Sequence, residues 1–427
     1  MLYTICAGPS MFALVDCNSC YAACEQIFRP DLRGQPVIVL SNNDGCIVAR
    51  NAEAKALGIP DLEPYFKLKS MLKRLGVHVF SSNYPLYGDT SNRVMEALRQ
   101  YSPDVEVYSI DEMFLHLDGF TMDLNDYGQQ MKQSLWQDVR MPVGVGIAPT
   151  KTLAKLANHG AKKIPQTNGV CVLDVPEKWQ WLQKRMPVNK IWGIGSKLSK
   201  RLVEQGIITI ADLAAADPKQ LGNLFSVSME RIIRELNGES CMPLEEAPPP
   251  KKQIYCTRSF GRRINTLPEL QQAACLYAAR AAEKLRAQDS LAITLHVFIN
   301  TSHHASDTFF NSKTVKLDYP TNDTRMIEAL VKKAVASLYK GGYSYAKAGV
   351  GIVELQDRSH KQNDFFTPGQ SQRSEALMEC MDDINARFGR NSTHVAAQGM
   401  GGRWAMSQKM LSPAYTTRWK DIPEVVC

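Results

Sequence analysis

Asp111 and Glu112 are adjacent carboxylates set between two runs of alternating apolar residues, Val105 to Tyr108 and Met113 to Leu117. Alternation at period two reads as strand on each side, which puts both acids at or near the turn of a hairpin. Neighbouring acids repel one another unless a cation lies between them, and a divalent ion is the usual answer. A third acid, Asp16, ends the short apolar run Phe12-Ala13-Leu14-Val15 and is followed by Cys17-Asn18-Ser19 and a helical pattern from about Cys20 to Phe28. An acid at the end of a buried strand is either functional or caps the next helix, and the residues alone leave both open.

The elements that must bring these acids together follow in chain order. Strand, helix, the carboxylate hairpin, a helix from about Leu124 to Val139 and the strand Val143 to Ile147 make the ferredoxin-like order, with an insertion between the first helix and the hairpin. In that topology the end of the first strand lies beside the hairpin turn, so Asp16 joins Asp111 and Glu112. The helical stretch Lys151 to Lys163 carries Lys151, Lys155, Asn158 and Lys162 on one side and Leu153, Leu156, Ala157 and Gly160 on the other. A solvated face explains such a row; so does a phosphate-holding surface beside a metal site. Arg50 and Lys55, in the segment that ends at Gly58, are further cations available to an anion or, equally, solvated surface charges.

Charge is unevenly placed. Residues 140–210 hold 12 Lys and Arg against 3 acids, a local excess of +9 in a chain of net +7, so the remainder is slightly acidic and one sector faces a polyanion. Within that sector Gly193-Ile194-Gly195 opens a helix carrying Lys197, Lys200 and Arg201, a pattern similar to the helix-hairpin-helix device that grips a DNA phosphate through backbone amides. Three prolines, Pro248 to Pro250, mark a linker, and a second α+β unit follows with Arg258, Arg262 and Arg263 at its entrance. Residues 355–427 are polar and weakly patterned and read as an extended tail with short helices. The chain of 427 residues exceeds one ordinary core, and 44% hydrophobic with 22% charged residues is globular rather than disordered. The 11 cysteines are scattered and read as reduced thiols; Cys17, Cys20 and Cys24 lack a second pair at zinc-finger spacing. No apolar run reaches the roughly 18 residues of a membrane span, and residues 1–10 read as a loose extension without signal-peptide character.

The segments Asp16 to Glu25, Ser41 to Cys46, Tyr108 to Glu112 and Lys151 to Asn158, in this order, closely resemble a Y-family translesion DNA polymerase of the UmuC type, the catalytic subunit of DNA polymerase V and its mobile-element relatives. The resemblance runs from Met11 to the C-terminus. It implies an α+β right-hand polymerase: a ferredoxin-like palm (11–30 and 85–175), small fingers (31–84), a helical thumb with a helix-hairpin-helix (176–247), a linker (248–254), an α+β little finger (255–356) and a partner-binding tail (357–427). It implies an error-prone, template-directed polymerase of the SOS response that moves a nucleotide from dNTP to a primer 3′-hydroxyl. Two Mg²⁺ ions would be held by Asp16, Asp111, Glu112 and the Cys17 backbone carbonyl, with Asp16, Asp111 and Glu112 catalytic.

Further roles come from the same resemblance. Lys55 and Lys162 fall at triphosphate-binding positions, and Tyr21 at the steric gate that clashes with a 2′-hydroxyl; a core aromatic on an amphipathic helix is the plainer reading of Tyr21. Cys20 departs from the family, where the residue beside the gate is usually aromatic. Gly193, Gly195, Lys197 and Arg258 would meet primer-template DNA. Gln362, Phe365 and Phe366 are similar to a sliding-clamp-binding peptide, a chance Phe-Phe being the rival, and the tail would meet a UmuD′-like dimer and a RecA-type recombinase filament. The implied location is cytoplasmic, at the nucleoid. Two other classes fit part of the pattern: a palm-domain nucleotide cyclase, which needs no DNA grip, and a non-catalytic DNA-binding or regulatory polymerase subunit, which needs no complete acid set.

Overall fold

In the computed structural model, which describes residues 10–119, 122–245, 247, 249–305, 307–360, 369–399 and 401–424, the run Phe12–Cys17 forms strand β1. It is buried on both faces, which is why it reads as continuously apolar up to Asp16. Helix α1 (Cys20–Phe28) leads to an insertion of β2 (Val37–Leu40), β3 (Ile47–Arg50), α2 (Ala52–Ala56), α3 (Tyr65–Arg74) and β4 (His78–Ser81), whose strands form a separate sheet in the order β3-β2-β4. The main layer resumes with α4 (Tyr84–Leu98), β5 (Val105–Val107), β6 (Glu112–His116), α5 (Leu124–Asp138), β7 (Val143–Ala148), α6 (Lys151–Lys163) and β8 (Val170–Val172). Its sheet runs β5-β6-β1-β7-β8, so the four strands β1, β5, β6 and β7 have the expected ferredoxin-like order and β8 extends the edge beside β7.

Side-chain parity decides what each face of this sheet holds. Ala13, Val15 and Cys17 of β1 pack with α1, α4 and α5, whereas Phe12 and Leu14 share a second core with Phe114 and the apolar residues of α6. The sequence Val143-Gly144-Val145-Gly146-Ile147-Ala148 follows the same rule, with valine and isoleucine in the first core and small residues toward α6. Gly146 is small out of necessity, because a Cβ there would lie 2.1 Å from the Asn158 backbone nitrogen and 2.4 Å from the Ala154 carbonyl oxygen. Helix α6 therefore lies almost directly on the strand backbone.

A helical segment covers the other side of α6: α7 (Pro176–Gln183), α8 (Ser196–Glu204), α9 (Ile210–Ala215), α10 (Pro218–Leu224) and α11 (Val227–Leu236). The first turn of α6 has no acid of its own, and Glu235 of α11 supplies one: its Oε2 accepts from the Thr152 amide (2.9 Å) and hydroxyl (2.6 Å). The other oxygen accepts from the Cys241 and Met242 amides at 3.1 and 3.0 Å, which fixes the chain leaving α11.

The chain divides into two units, one of residues up to Ser41, Gly45–Pro248 and from Met410 on, the other of Asn42–Asp44 and Pro249–Lys409. The second holds β9 (Ile254–Ile264), α12 (Leu267–Ala287), β10 (Ser290–Thr301), β11 (Phe310–Thr321), α13 (Thr324–Leu338) and β12 (Tyr345–Asp357) in one antiparallel sheet, β11-β10-β12-β9, with the two helices on one face. Strand β9 is an addition to the sequence reading, in which Arg258, Arg262 and Arg263 merely led into a helix; their charges break the apolar alternation. The tail also contains more order than its polar composition suggested. Helix α14 (Gln372–Phe388) is 17 residues long and is tied down by a two-pronged Arg286–Asp382 pair at 2.6 and 2.7 Å, and Trp404 is buried against Phe260 and Tyr277.

The contact at Gly146 makes a stability prediction. Gly146→Ala should lower the unfolding free energy by about 3 kcal/mol, since backbone rather than a side-chain tip blocks the methyl group. Gly88→Ala, in α4 with open space around it, should raise stability by about 0.5–1 kcal/mol. Thermal unfolding of the two variants beside the parent checks both signs.

Candidate active site

Asp16 stands opposite Glu112 across the β1–β6 ladder and opposite Gly144 across the β1–β7 ladder. Its parity is that of Phe12 and Leu14, and Glu112 has the parity of Phe114, so both carboxylates leave the sheet on the α6 side. Asp111 directly precedes β6; its carbonyl accepts from the Cys17 amide at 2.8 Å, and its Oδ1 accepts from the Ser109 hydroxyl at 2.6 Å. The three acids of the sequence reading thus meet at one end of the sheet, near enough that Glu112 and Asp111 both raise the Asp16 pKa. Burial is the larger cause, and despite the opposing Lys162 ammonium the Asp16 carboxyl is pushed up to about 6.

The lysine row of α6 faces the sheet, not solvent. Lys162 Nζ lies 2.6 Å from Asp16 Oδ1, Lys155 Nζ lies 2.9 and 3.0 Å from the two oxygens of Glu112, and Lys151, buried, pairs with Glu106 of β5. Asn158, the fourth member of the row, donates to the Gly144 carbonyl at 2.7 Å. The solvated-face reading of this row is therefore replaced by a lysine each for Asp16, Glu112 and Glu106, an arrangement required because burying these carboxylates unpaired would cost several kcal/mol each. Lys155 is further enclosed by Tyr108, Trp192 and Phe114, whose ring centroids lie 4.2, 5.1 and 5.8 Å from its ammonium, and Trp192 Nε1 donates to the Tyr108 hydroxyl at 3.1 Å. This aromatic box was not foreseen from the sequence; Tyr108 beside the acid pair was the only local hint.

A cleft of about 350 Å³ opens in front of these groups and is lined by Asp16, Asp111, Tyr21, Arg50, Lys55 and Lys162 among others. Lys55 Nζ donates to the Ser19 hydroxyl at 2.9 Å, and burial together with Arg50, Lys162 and Lys163 holds its pKa below the ordinary lysine value. Such a cluster of cations, with Arg50 also 3.2 Å from Asp61, is poised for a multiply charged anion. Tyr21 is half-buried on the cleft wall; its ring stacks on Tyr87 at 4.7 Å and meets Tyr84 edge-on at 5.9 Å, and burial pushes its phenol up to about 12. Cys20 lines the same cleft.

Hard oxygen donors in this number suit a divalent cation of the magnesium type. With Asp16 and Glu112 turned onto lysines, no group of three His, Cys, Asp or Glu side chains among the described residues is gathered in metal-binding geometry.

The remaining candidates lie elsewhere. Gly193 has φ 83°, Gly195 caps α8 with no side chain on the helix amides, and Lys197 is exposed one residue into the helix. Arg258 is exposed on β9 in the second unit. Gln362, Phe365 and Phe366 lie outside the described residues. No helix among the described residues is long and apolar enough to cross a membrane.

Residues 15–159 match the impB/mucB/samB family and residues 251–365 its C-terminal domain, while residues 187–237 match a SAM-like helix-hairpin-helix tandem and 375–425 a domain of unknown function, DUF4113. Protein UmuC of Salmonella typhimurium is 46% identical over 97% of this chain and 100% of its own length, and Protein MucB of Escherichia coli 45% identical over 97% and 99%. DNA polymerase IV of Desulfatibacillum aliphaticivorans is 27% identical over 90% of this chain and 95% of its own. Among solved structures, a Y-family DNA polymerase chimera of Dbh and Dpo4 aligns with a TM-score of 0.61 at 22% identity, covering 80% of this chain and 98% of that one, and a ternary complex of Dbh DNA polymerase with 0.54 at 20%, covering 81% and 99%. These likenesses establish a Y-family polymerase fold, and by near full-length identity to UmuC and MucB the chain belongs to the impB/mucB/samB family.

Proposed function

We propose that this chain is an error-prone, template-directed DNA polymerase that carries synthesis past damaged template in the SOS response. The observation that carries the reading is the cleft itself: Asp16 and Asp111, at the end of a palm sheet with Glu112 opposite Asp16, line it together with Lys55, Arg50 and Lys162, in a chain 46% identical to UmuC along its length. The substrates are primer-template DNA and a dNTP. The primer 3′-oxygen attacks the α-phosphorus, its proton leaves to solvent, and pyrophosphate departs.

Asp16, Asp111, Glu112 and the Cys17 carbonyl are the groups that would hold two Mg²⁺ ions. Such ions, when bound, lower the pKa of the attacking hydroxyl and offset charge on the leaving group. The chain's own residues do the rest. Lys162 and Lys55 bind the triphosphate, Lys162 exchanging its Asp16 partner for a phosphate oxygen of comparable charge. Lys155, boxed by aromatics, stays on Glu112 and holds that carboxylate in place. Tyr21 lies under the sugar and excludes a 2′-hydroxyl. Gly193, Gly195 and Lys197 grip backbone phosphates by the amides at the start of α8, and Arg258 adds a phosphate contact from β9. Residues 362–366 dock in a sliding clamp's groove through Gln362, Phe365 and Phe366, and the tail meets a UmuD′-like dimer and a RecA-type filament, in the cytoplasm at the nucleoid.

Three outcomes are expected. In primer extension on damaged template, Asp111→Ala and Glu112→Ala should each lose about 10³-fold or more in rate with DNA affinity nearly unchanged; extension equal to the parent would remove the acids from the reaction. Tyr21→Ala should raise ribonucleotide incorporation by about 100-fold, measured as the ratio of kcat/KM for dNTP and rNTP. Deleting residues 362–366 should abolish the gain in synthesis that added clamp produces while leaving clamp-free extension intact.

A further inference from the structure

The end of the chain returns to the first unit and reaches the wall behind Tyr21. Met410 exchanges two hydrogen bonds with Ser81: the Ser81 amide donates to its carbonyl at 2.9 Å, and its own amide donates to the Ser81 hydroxyl at 3.0 Å. Asn83, which caps α4 through its Oδ1, donates from Nδ2 to the Ser412 hydroxyl at 2.9 Å. Tyr415 stacks on Phe28 of α1 at 4.8 Å with the rings 9° apart, and the Ala414 amide donates to Asp421, closing the turn. Residues 410–415 thus form a strap pinned at both ends, within the stretch matched by a domain to which no function is attached.

The centre of the strap meets a buried acid that the catalytic reading does not use. Glu25 of α1 is fully buried, and its Oε1 accepts from both the Ser412 hydroxyl (3.1 Å) and the Tyr87 hydroxyl (2.6 Å). Its second oxygen, Oε2, is buried without a hydrogen-bond partner. A carboxyl left half-satisfied is expensive to keep in a core and holds its two donors tightly. Burial pushes it up to about 7. Tyr87, also fully buried, is the ring on which Tyr21 lies, with centroids 4.7 Å apart and planes 15° from parallel. Four residues from three places in the sequence, Tyr21 and Glu25 both on α1, therefore run in contact from the strap to the cleft: Ser412, Glu25, Tyr87 and Tyr21.

We propose that the strap is a positioning element for sugar selection, in which Ser412 acts through Glu25 to fix Tyr87 and so sets the height of the Tyr21 ring in the nucleotide cleft. This rests on the reading of Tyr21 as the gate. The tail then has a role inside the polymerase as well as toward partners, and a partner that lifts the strap would loosen discrimination between sugars without touching a catalytic acid. Ser412, Glu25 and Tyr87 touch neither substrate nor reacting atoms, so each works only through the next.

The test uses the full chain on primer-template, with single-nucleotide insertion of dCTP and CTP opposite guanine giving kcat/KM for each. Ser412→Ala should lower the dCTP/CTP ratio by about 5-fold, the size expected for one lost hydrogen bond, and Glu25→Met, which removes the acceptor of both hydroxyls, by at least as much, with kcat for dCTP within about 2-fold of the parent. Ser412→Thr, which keeps the hydroxyl, should restore the ratio. Tyr87→Phe keeps the stacked ring and removes only its hydroxyl, and it should behave as Ser412→Ala does even if a Glu25 variant folds poorly. An unchanged ratio in Ser412→Ala and Tyr87→Phe, while Tyr21→Ala collapses it, overturns the proposal and leaves the gate standing. An unchanged ratio in Tyr21→Ala overturns the gate and the proposal together. A lowered melting temperature with both efficiencies falling in proportion makes the strap structural only, which also overturns it.

Discussion

Burying carboxylates at the end of a sheet is tolerable only if something positive is built in beside them, and here that something is one face of helix α6. Lys151, Lys155 and Lys162 each reach one acid, and Asn158 between them bonds the strand backbone. For Asp16 and Glu112 the pairing offsets the repulsion of acids gathered at one edge, while Asp111 is held by the Ser109 hydroxyl. The pairs differ in exposure: Lys162 is partly exposed and lines the cleft, as the proposed exchange of Asp16 for a substrate phosphate requires, whereas Lys151 and its partner Glu106 are buried.

Everything around α6 serves to keep that face at the right height. The glycines at positions 144 and 146 let the helix rest on the strands, and a side chain at Gly146 has no room. Glu235 clamps the helix N-terminus from above and, through the Cys241 and Met242 amides, also fixes the exit of the helical segment that carries Gly193 and Gly195. Trp192, next to Gly193, closes the box around Lys155. The helical segment thus touches the Lys155–Glu112 pair through Trp192 and the start of α6 through Glu235.

Much of this was legible in the sequence. Strand alternation placed Asp16, Asp111 and Glu112 at one sheet edge because parity and the ferredoxin-like order are local rules with a long-range consequence. The direction of the α6 lysine row was not legible, since amphipathic periodicity assigns charge to solvent and cannot see acids on covered strands that lie 43 residues away in the case of Glu112 and far further in the case of Asp16. Strand β9 was missed because Arg258, Arg262 and Arg263 interrupt its apolar pattern, and α14 because its apolar positions are few. The strap was out of reach for a different reason: Ser412 and Glu25 are 387 residues apart, and neither sits in a motif. The Gln362, Phe365 and Phe366 segment remains a sequence reading.

In the proposed function Asp16 and Asp111 hold the divalent ions of a polymerase palm. The most direct measurement counts Mn²⁺ by electron paramagnetic resonance on the full chain with primer-template and a non-hydrolysable dNTP analogue, comparing the parent with an Asp16→Asn, Asp111→Asn variant that still binds DNA. Two tightly held ions are expected in the parent and loss of both from the variant; equal numbers held with equal affinity in the two proteins would remove Asp16 and Asp111 from that role.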